Sequence, residues 1–268
     1  MTVTPSDEIR HRIENSVSWI TLNRPEAMNA LTWDQRERVI TLLADASADP
    51  AVRAVVVTAT GKGFCAGADL RSNSRTAGGD RIAGDVSRMI RLGAQRLITA
   101  VLDCEKPVIA AVNGTAAGIG AHLALACDLV IAAEQARFIE VFVRRGLVPD
   151  GGGAYLLPRL LGPQKAKELL FFGDAVTAED AARLGLVNKV VPADELQETA
   201  RAWAERLAQG PTRALALTKQ LVNASLDSDR ATALAAEATA QELNMTTADA
   251  NEGVASFVER RTPKYLGR

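Results

Sequence analysis

The chain has 268 residues, with 31 Lys and Arg set against 32 Asp and Glu for a formal net charge of −1, and only 4% of its residues are aromatic. This balance argues against a nucleic-acid-binding surface, which wants a basic excess and stacking platforms. The longest apolar stretch, 116–133, is interrupted by His122 and Asp128, and three dispersed cysteines with two histidines make neither a disulfide framework nor a metal site.

In chain order, the opening MTVTPSDEIR lacks an apolar core, so no secretory leader is expected, and a reduced, cytoplasmic protein fits. Ile9, His11, Ile13 and then Val17, Trp19, Ile20, Leu22 flank a polar turn and predict a hairpin. Thr32 and Gln35 have capping-box spacing, and Val39, Leu42 and Leu43 give the helix after them an apolar face, ended by Asp49-Pro50. Val52 to Thr58 is a continuous apolar run, as expected of a strand buried on both faces. It opens into a glycine-punctuated loop, 61–70, and a polar, glycine-rich surface loop is expected over 71–85.

Helical periodicity runs from Val86 to Leu102, and a second buried strand spans Val108–Val112 before Asn113-Gly114. The small-residue segment from Ala116 to Ala126 reads as a buried helix starting near Gly118. Strands are expected at Asp128–Ala132 and Arg137–Ile139. Strand, loop, helix and strand recur in this part, which is how a parallel sheet with crossover helices is built. After Pro149-Asp150-Gly151-Gly152-Gly153 come helical segments at 154–172 and Thr177–Leu184, then a strand within Leu186–Val191. From Pro192 the pattern is helical, and we place a division near residue 200: a core over 1–200 and a helical region over 201–268.

Both glycine loops follow buried strands, where ligands collect in α/β sheets. Each has a backbone N–H to present, at Ala68 after Ala66-Gly67 and at Ile119 after Gly118. Two amides converging on one oxygen stabilise charge developing on a carbonyl. Taken singly, each loop also reads as ordinary turn glycine.

The ordered set LNRPEAMNALT (22–32), VVVTATGKGFCAGADL (55–70), KPVIAAVNGTAAGIG (106–120), ACDLVIAA (126–133) and GLVPDGGGAYLLPRLLG (146–162) resembles the enoyl-CoA hydratase/isomerase, or crotonase, family, from about residue 9 to the closing SFVERRTPKYLG. The resemblance implies an α/β fold, a spiral of ββα units followed by a C-terminal helical trimerisation region. It also implies an acyl-CoA substrate with no cofactor beyond the coenzyme A of that substrate, and a homotrimer or dimer of trimers. No metal, nucleic-acid or membrane partner is expected. The Ala68 and Ile119 amides would form the oxyanion hole, the latter where the family usually has glycine, so the isoleucine narrows the pocket. Ala27, Met28, Ala66, Asp69 and Leu70 match positions along the CoA path. Gly118 and Phe142 would line the acyl site, and Arg24 and Lys62 are phosphate candidates.

Hydratases of this family carry two glutamates that hold water; this chain has His122 and Phe142 at those positions. Phe142 cannot accept a proton, which argues against hydration. Asp150 matches the loop carboxylate of the family's isomerases and of a dehalogenase; it is a candidate proton shuttle, and equally a candidate helix N-cap. His122 shares a helix face with Gly118 and reads either as a hydrogen-bonded core residue or as a second proton carrier. Glu140, two residues before Phe142, is placed on the same strand face and is a candidate base by a register slip; it also reads as a surface or interface carboxylate. Cys65 reads as a small buried residue, and Val141, Phe142, Val143 and Leu147 as an apolar wall. Isomerase-type proton transfer is the expected activity. The alternatives are true hydration, a ring- or carbon–halogen-modifying reaction, and a non-catalytic acyl-CoA-binding subunit. The segment Phe257–Lys264 is expected to close over the CoA site or a neighbouring subunit.

Overall fold

The computed structural model describes residues 8–70 and 82–268; most of the polar loop expected over 71–85 lies outside them. Ten strands follow in chain order: β1 (Ile9–Glu14), β2 (Val17–Leu22), β3 (Ala54–Ala59), β4 (Gly63–Cys65), β5 (Val108–Val112), β6 (Thr115–Ala117), β7 (Leu129–Ala133), β8 (Arg137–Ile139), β9 (Ala175–Thr177) and β10 (Lys189–Val191). The helices are α1 (Trp33–Ala48), α2 (Asp85–Ile90), α3 (Arg96–Leu102), α4 (Ile119–Leu125), α5 (Gly153–Leu161), α6 (Pro163–Phe172), α7 (Ala178–Arg183), α8 (Leu196–Ala208), α9 (Thr212–Ser225), α10 (Arg230–Met245) and α11 (Ala248–Glu259).

The β1–β2 hairpin turns through Asn15 and Ser16, both at positive φ, which matches the right-handed twist of the two strands. β2 then pairs parallel with β3, giving a six-stranded sheet ordered β1-β2-β3-β5-β7-β10. Its central strands are apolar but for Thr58 of β3, because both faces are covered. Val55, Val57, Val108, Ala110 and Val112 face the main core with α1, α3 and α4. The alternate residues Ala54, Val56, Ile109, Ala111, Ile131 and Ala133 face Leu196, Ala200, Ala204 and Ala208 of α8. The division near residue 200 thus falls inside a helix that seals the sheet, and the more exposed helices begin after it.

A second sheet, ordered β4-β6-β8-β9, was not expected from the sequence. β4 and β6 are three-residue strands inside the segments read as loop and as small-residue helix. They turn the two glycine loops toward each other. The closeness is set at Gly120, where a Cβ would stand 2.2 Å from the Cys65 carbonyl oxygen. α1 starts as expected: Thr32 Oγ1 accepts from Gln35 N at 3.3 Å, and Thr32 N donates to Gln35 Oε1 at 2.9 Å. The 154–172 segment is two helices, broken at Gly162, which takes a positive φ. Among the described residues no helix is long and apolar enough to cross a membrane.

Candidate active site

Leu31 bridges the first glycine loop, 61–70. Its N–H donates to the Gly67 oxygen at 2.8 Å, and its own oxygen accepts from Asp69 N at 3.0 Å. In extended chain successive amides point opposite ways, so the Ala68 N–H faces away from Leu31, and among the described residues it has no acceptor. Gly118 caps α4, and Ile119 is the first helical residue, whose N–H has no intrahelical partner by construction. A Cβ on Gly67 would lie 3.8 Å from the Ile119 nitrogen and 3.0 Å from the Ala117 oxygen. The two free amides therefore belong to backbones in van der Waals contact, and the Ile119 end adds a partial positive charge. The Ile119 side chain is buried, and a Cβ on Gly151 would stand 3.2 Å from its Cγ1.

Asp150 enters from the loop before α5. It does not cap that helix: Gly152 holds the N-cap position, and no side chain caps it. The half-buried Asp150 carboxylate has no hydrogen-bond partner among the described residues. Burial raises its pKa, while the charges of His122 and Arg36 pull it back down. A carboxyl in that state is suited to take and return a proton.

His122 is fully buried on α4, with Nε2 2.9 Å from Glu140 Oε2 and Nδ1 unpartnered. Glu140 is therefore a buried partner of the imidazole, not a surface carboxylate. Glu140 and Phe142 also do not share a strand face, because β8 ends at Ile139 and Phe142 starts a 3-10 turn. They converge on His122 all the same, since the Phe142 ring stacks on the imidazole at 5.5 Å between centroids. A Cβ on Gly153 would lie 2.4 Å from His122 Nε2, so glycine there lets the ring sit under α5. Of the expected apolar wall, Phe142 is buried, whereas Val143 and Leu147 are exposed.

On the CoA side, Arg24 is committed within the fold. Its guanidinium pairs with Asp69 and donates to the Ala30 oxygen at 3.1 Å. Asn29, unmentioned in the sequence reading, ties the same loops by donating to the Thr60 and Gly63 oxygens at 2.9 and 2.8 Å. Ala66 N donates to the oxygen of Met28, and the side chains of Met28 and Leu70 are exposed. Burial pushes the Cys65 thiol up to about 12, which removes it as a nucleophile. Among the described residues no cluster of three or more His, Cys, Asp or Glu could hold a metal ion.

Sequence reasoning missed Arg36. It lies on the buried stripe of α1 with Val39 and Leu43, at the i, i+3, i+7 spacing that marks an inward face. An arginine on that stripe was the available signal.

Residues 12–268 match the family model described as enoyl-CoA hydratase/isomerase. The chain is 38% identical over 260 residues to a protein named 1,2-epoxyphenylacetyl-CoA isomerase from Escherichia coli, covering 97% of this chain and 98% of that protein. It is 37% identical over 256 residues to a crotonyl-CoA hydratase from Syntrophomonas wolfei, covering 95% and 96%. The crystal structure of an enoyl-CoA hydratase from Bacillus anthracis superposes with a TM-score of 0.90 at 35% identity, covering 97% of this chain and all of that one.

Proposed function

This chain belongs to the enoyl-CoA hydratase/isomerase family, and from that premise we propose that it isomerises an acyl-CoA through a thioester enolate held by the Ala68 and Ile119 amides. The observation that carries this reading is the half-buried, hydrogen-bond-free carboxylate of Asp150, raised by burial, beside the loop that packs on Ile119. In a β,γ-enoyl-CoA, Asp150 takes a proton from the α-carbon, and the electron pair moves onto the thioester oxygen. The two N–H groups stabilise that charge in place, with no reorganisation during the reaction. The same carboxyl then returns the proton at the γ-carbon, leaving the double bond conjugated with the thioester.

Hydration is the competing reading. It is supported by the hydratase named among the relatives and by the buried Glu140 beside His122. Incubation with a β,γ-enoyl-CoA and, separately, with its α,β isomer separates the two. The expected result is conversion of the first to the conjugated thioester, with solvent deuterium entering the γ-carbon. Water addition to the second at a comparable rate would overturn the isomerase reading, and binding without turnover on either would favour a non-catalytic subunit.

Self-association through the C-terminal helices belongs to the same proposal. No residue of α10 is buried, though Leu234 and Leu243 lie on it, and Phe257 of α11 is 85% exposed. The segment after α11 folds back on its own helices instead of standing free. Asp249 accepts from Leu266 N and Gly267 N at 2.6 and 2.8 Å, and Arg261 forks onto Glu252 at 2.6 and 2.8 Å. Apolar surface of this kind marks an interface. Sedimentation is expected to show a trimer or its dimer; a monomer at micromolar concentration would count against this assembly.

A further inference from the structure

Glu140 and His122 are buried together and take no part in the proton transfer described above. Glu140 is 5% exposed, and among the described residues the imidazole is the one hydrogen-bond partner of its carboxylate. Leu125, Phe138, Leu157, Leu169 and Val176 line the small void beside it. Asp174, the other acid at that void, is 85% exposed and lies 3.8 Å from Arg144. A carboxylate set among apolar side chains is costly to ionise unless a partner carries the opposite charge. The imidazole is the partner in reach, so one proton held between the two neutralises the pair.

The surroundings decide where that proton sits. Phe142 stacks on the imidazole, 5.5 Å between centroids and 11° from parallel, and an aromatic face favours a cation. His122 lies in the last turn of α4, which also favours positive charge, while the N-terminus of α5 beside it opposes that charge. The two helix ends offset each other, which leaves the carboxylate at 2.9 Å and the aromatic face to favour the imidazolium.

The ring is also joined to the base. Gly153 N donates to the Asp150 oxygen at 3.4 Å, closing the turn that carries Asp150. A Cβ on Gly153 would stand 2.4 Å from His122 Nε2 and 2.5 Å from Cε1, so this turn rests directly on the imidazole. The charges that act on Asp150 are His122 from α4 and Arg36 from α1. Nδ1 of His122 has no partner, so Glu140 offsets the charge of the ring on one side only.

We infer that Glu140 and His122 form one positioning unit: Glu140 holds the His122 ring in its charged form beneath the Asp150 turn, and that charge favours the carboxylate that takes the substrate proton. Neither side chain needs to touch the substrate. The inference rests on the isomerase reading proposed above.

The test follows kcat/KM for isomerisation of a β,γ-enoyl-CoA against pH in the wild-type protein, E140Q, H122Q and the double variant. Activity falls on the acidic side as the base takes up a proton, so the midpoint of that limb reports Asp150 in the free protein. E140Q leaves the ring neutral, and H122Q leaves Glu140 protonated, so each removes the same charge. Both single variants are expected to move the acidic limb to higher pH by about one unit. The double variant should move it no further than either single one. A limb that stays in place in both single variants overturns the inference even if the plateau falls, because a merely structural role lowers the plateau alone. A limb moved to lower pH in E140Q also overturns it, since the ring would then keep its charge without Glu140. Nitrogen NMR of H11Q, in which His122 is the remaining histidine, gives a readout that needs neither of these variants to fold. Protons on both ring nitrogens at neutral pH are expected, and a bare nitrogen overturns the inference. Absence of isomerisation by the wild-type protein at every pH overturns the isomerase reading, and the spectra still report the state of the ring.

Discussion

Asp150→Asn is expected to lower kcat for double-bond migration by about 10²- to 10⁴-fold, the range a positioned general base contributes, while the variant melts at a higher temperature than the parent at pH 7. Both halves come from the same environment. The largest influence on the carboxyl is burial, which raises its pKa; the charges of His122 and Arg36 oppose that and do not cancel it. The folded chain thus keeps this proton to a higher pH than the unfolded chain, whose carboxyl titrates near about 3.9. Between those two values the folded state binds more protons, so the stability traceable to Asp150 falls as pH rises through that window, and above it the ionised group opposes folding. Asparagine has nearly the same shape and no charge to desolvate. Its stabilising effect should therefore be largest at neutral pH and vanish well below about pH 4, as the parent carboxyl becomes neutral in both states. Thermal melts across pH and a migration assay check the two halves. A variant that is inactive and less stable would make Asp150 a structural group. One that is stable and fully active would remove it from the chemistry.

How much of this was legible before the coordinates depends on how local the signal is. The Thr32–Gln35 capping box, the apolar strand Val108–Val112 and the Gly118 start of α4 are written in neighbouring residues, and all three appear where the pattern puts them. The three-residue strands β4 and β6 were not legible, because so short a strand has no period to read; what defines them is a partner some fifty positions away, Gly63 against Thr115. The site divides the same way. The chemistry of Asp150 could be weighed from its loop, but whether it capped a helix depends on which residue reaches the N-cap position, and that proved to be Gly152. Glu140 was misjudged for a related reason: two-residue periodicity holds only while the strand lasts, and β8 stops at Ile139. Its bond to His122 spans eighteen positions and leaves no mark in sequence. Arg36 could have been noticed, since a charge on the inward stripe of an amphipathic helix is anomalous wherever the helix packs.

Gly67→Ala provides the sharpest separate test of the amide pair. Gly67 has φ +102°, a conformation that side-chain-bearing residues rarely adopt, and a Cβ there would press on the Ala117 oxygen at 3.0 Å. Alanine must relieve both by rotating the Gly67–Ala68 peptide or by pushing β6 away, and either motion re-aims the Ala68 N–H relative to that of Ile119. The hydrogen bond from Leu31 N to the Gly67 oxygen holds the loop on its other side, so strain cannot be shed there without breaking that bond. Loss of one oxyanion donor typically costs about 10²- to 10³-fold in kcat, and the expected fall lies in that range. The KM for the thioester should change far less, because the amides gain most when charge sits on the oxygen, and that is in the transition state. Asp150→Asn and Gly67→Ala attack the same enolate from two directions, base and oxygen. Their combined effect should therefore fall short of the product of the single effects. If Gly67→Ala raised KM and left kcat untouched, the loop would be a binding element only, and the charge-stabilising role would have to move elsewhere.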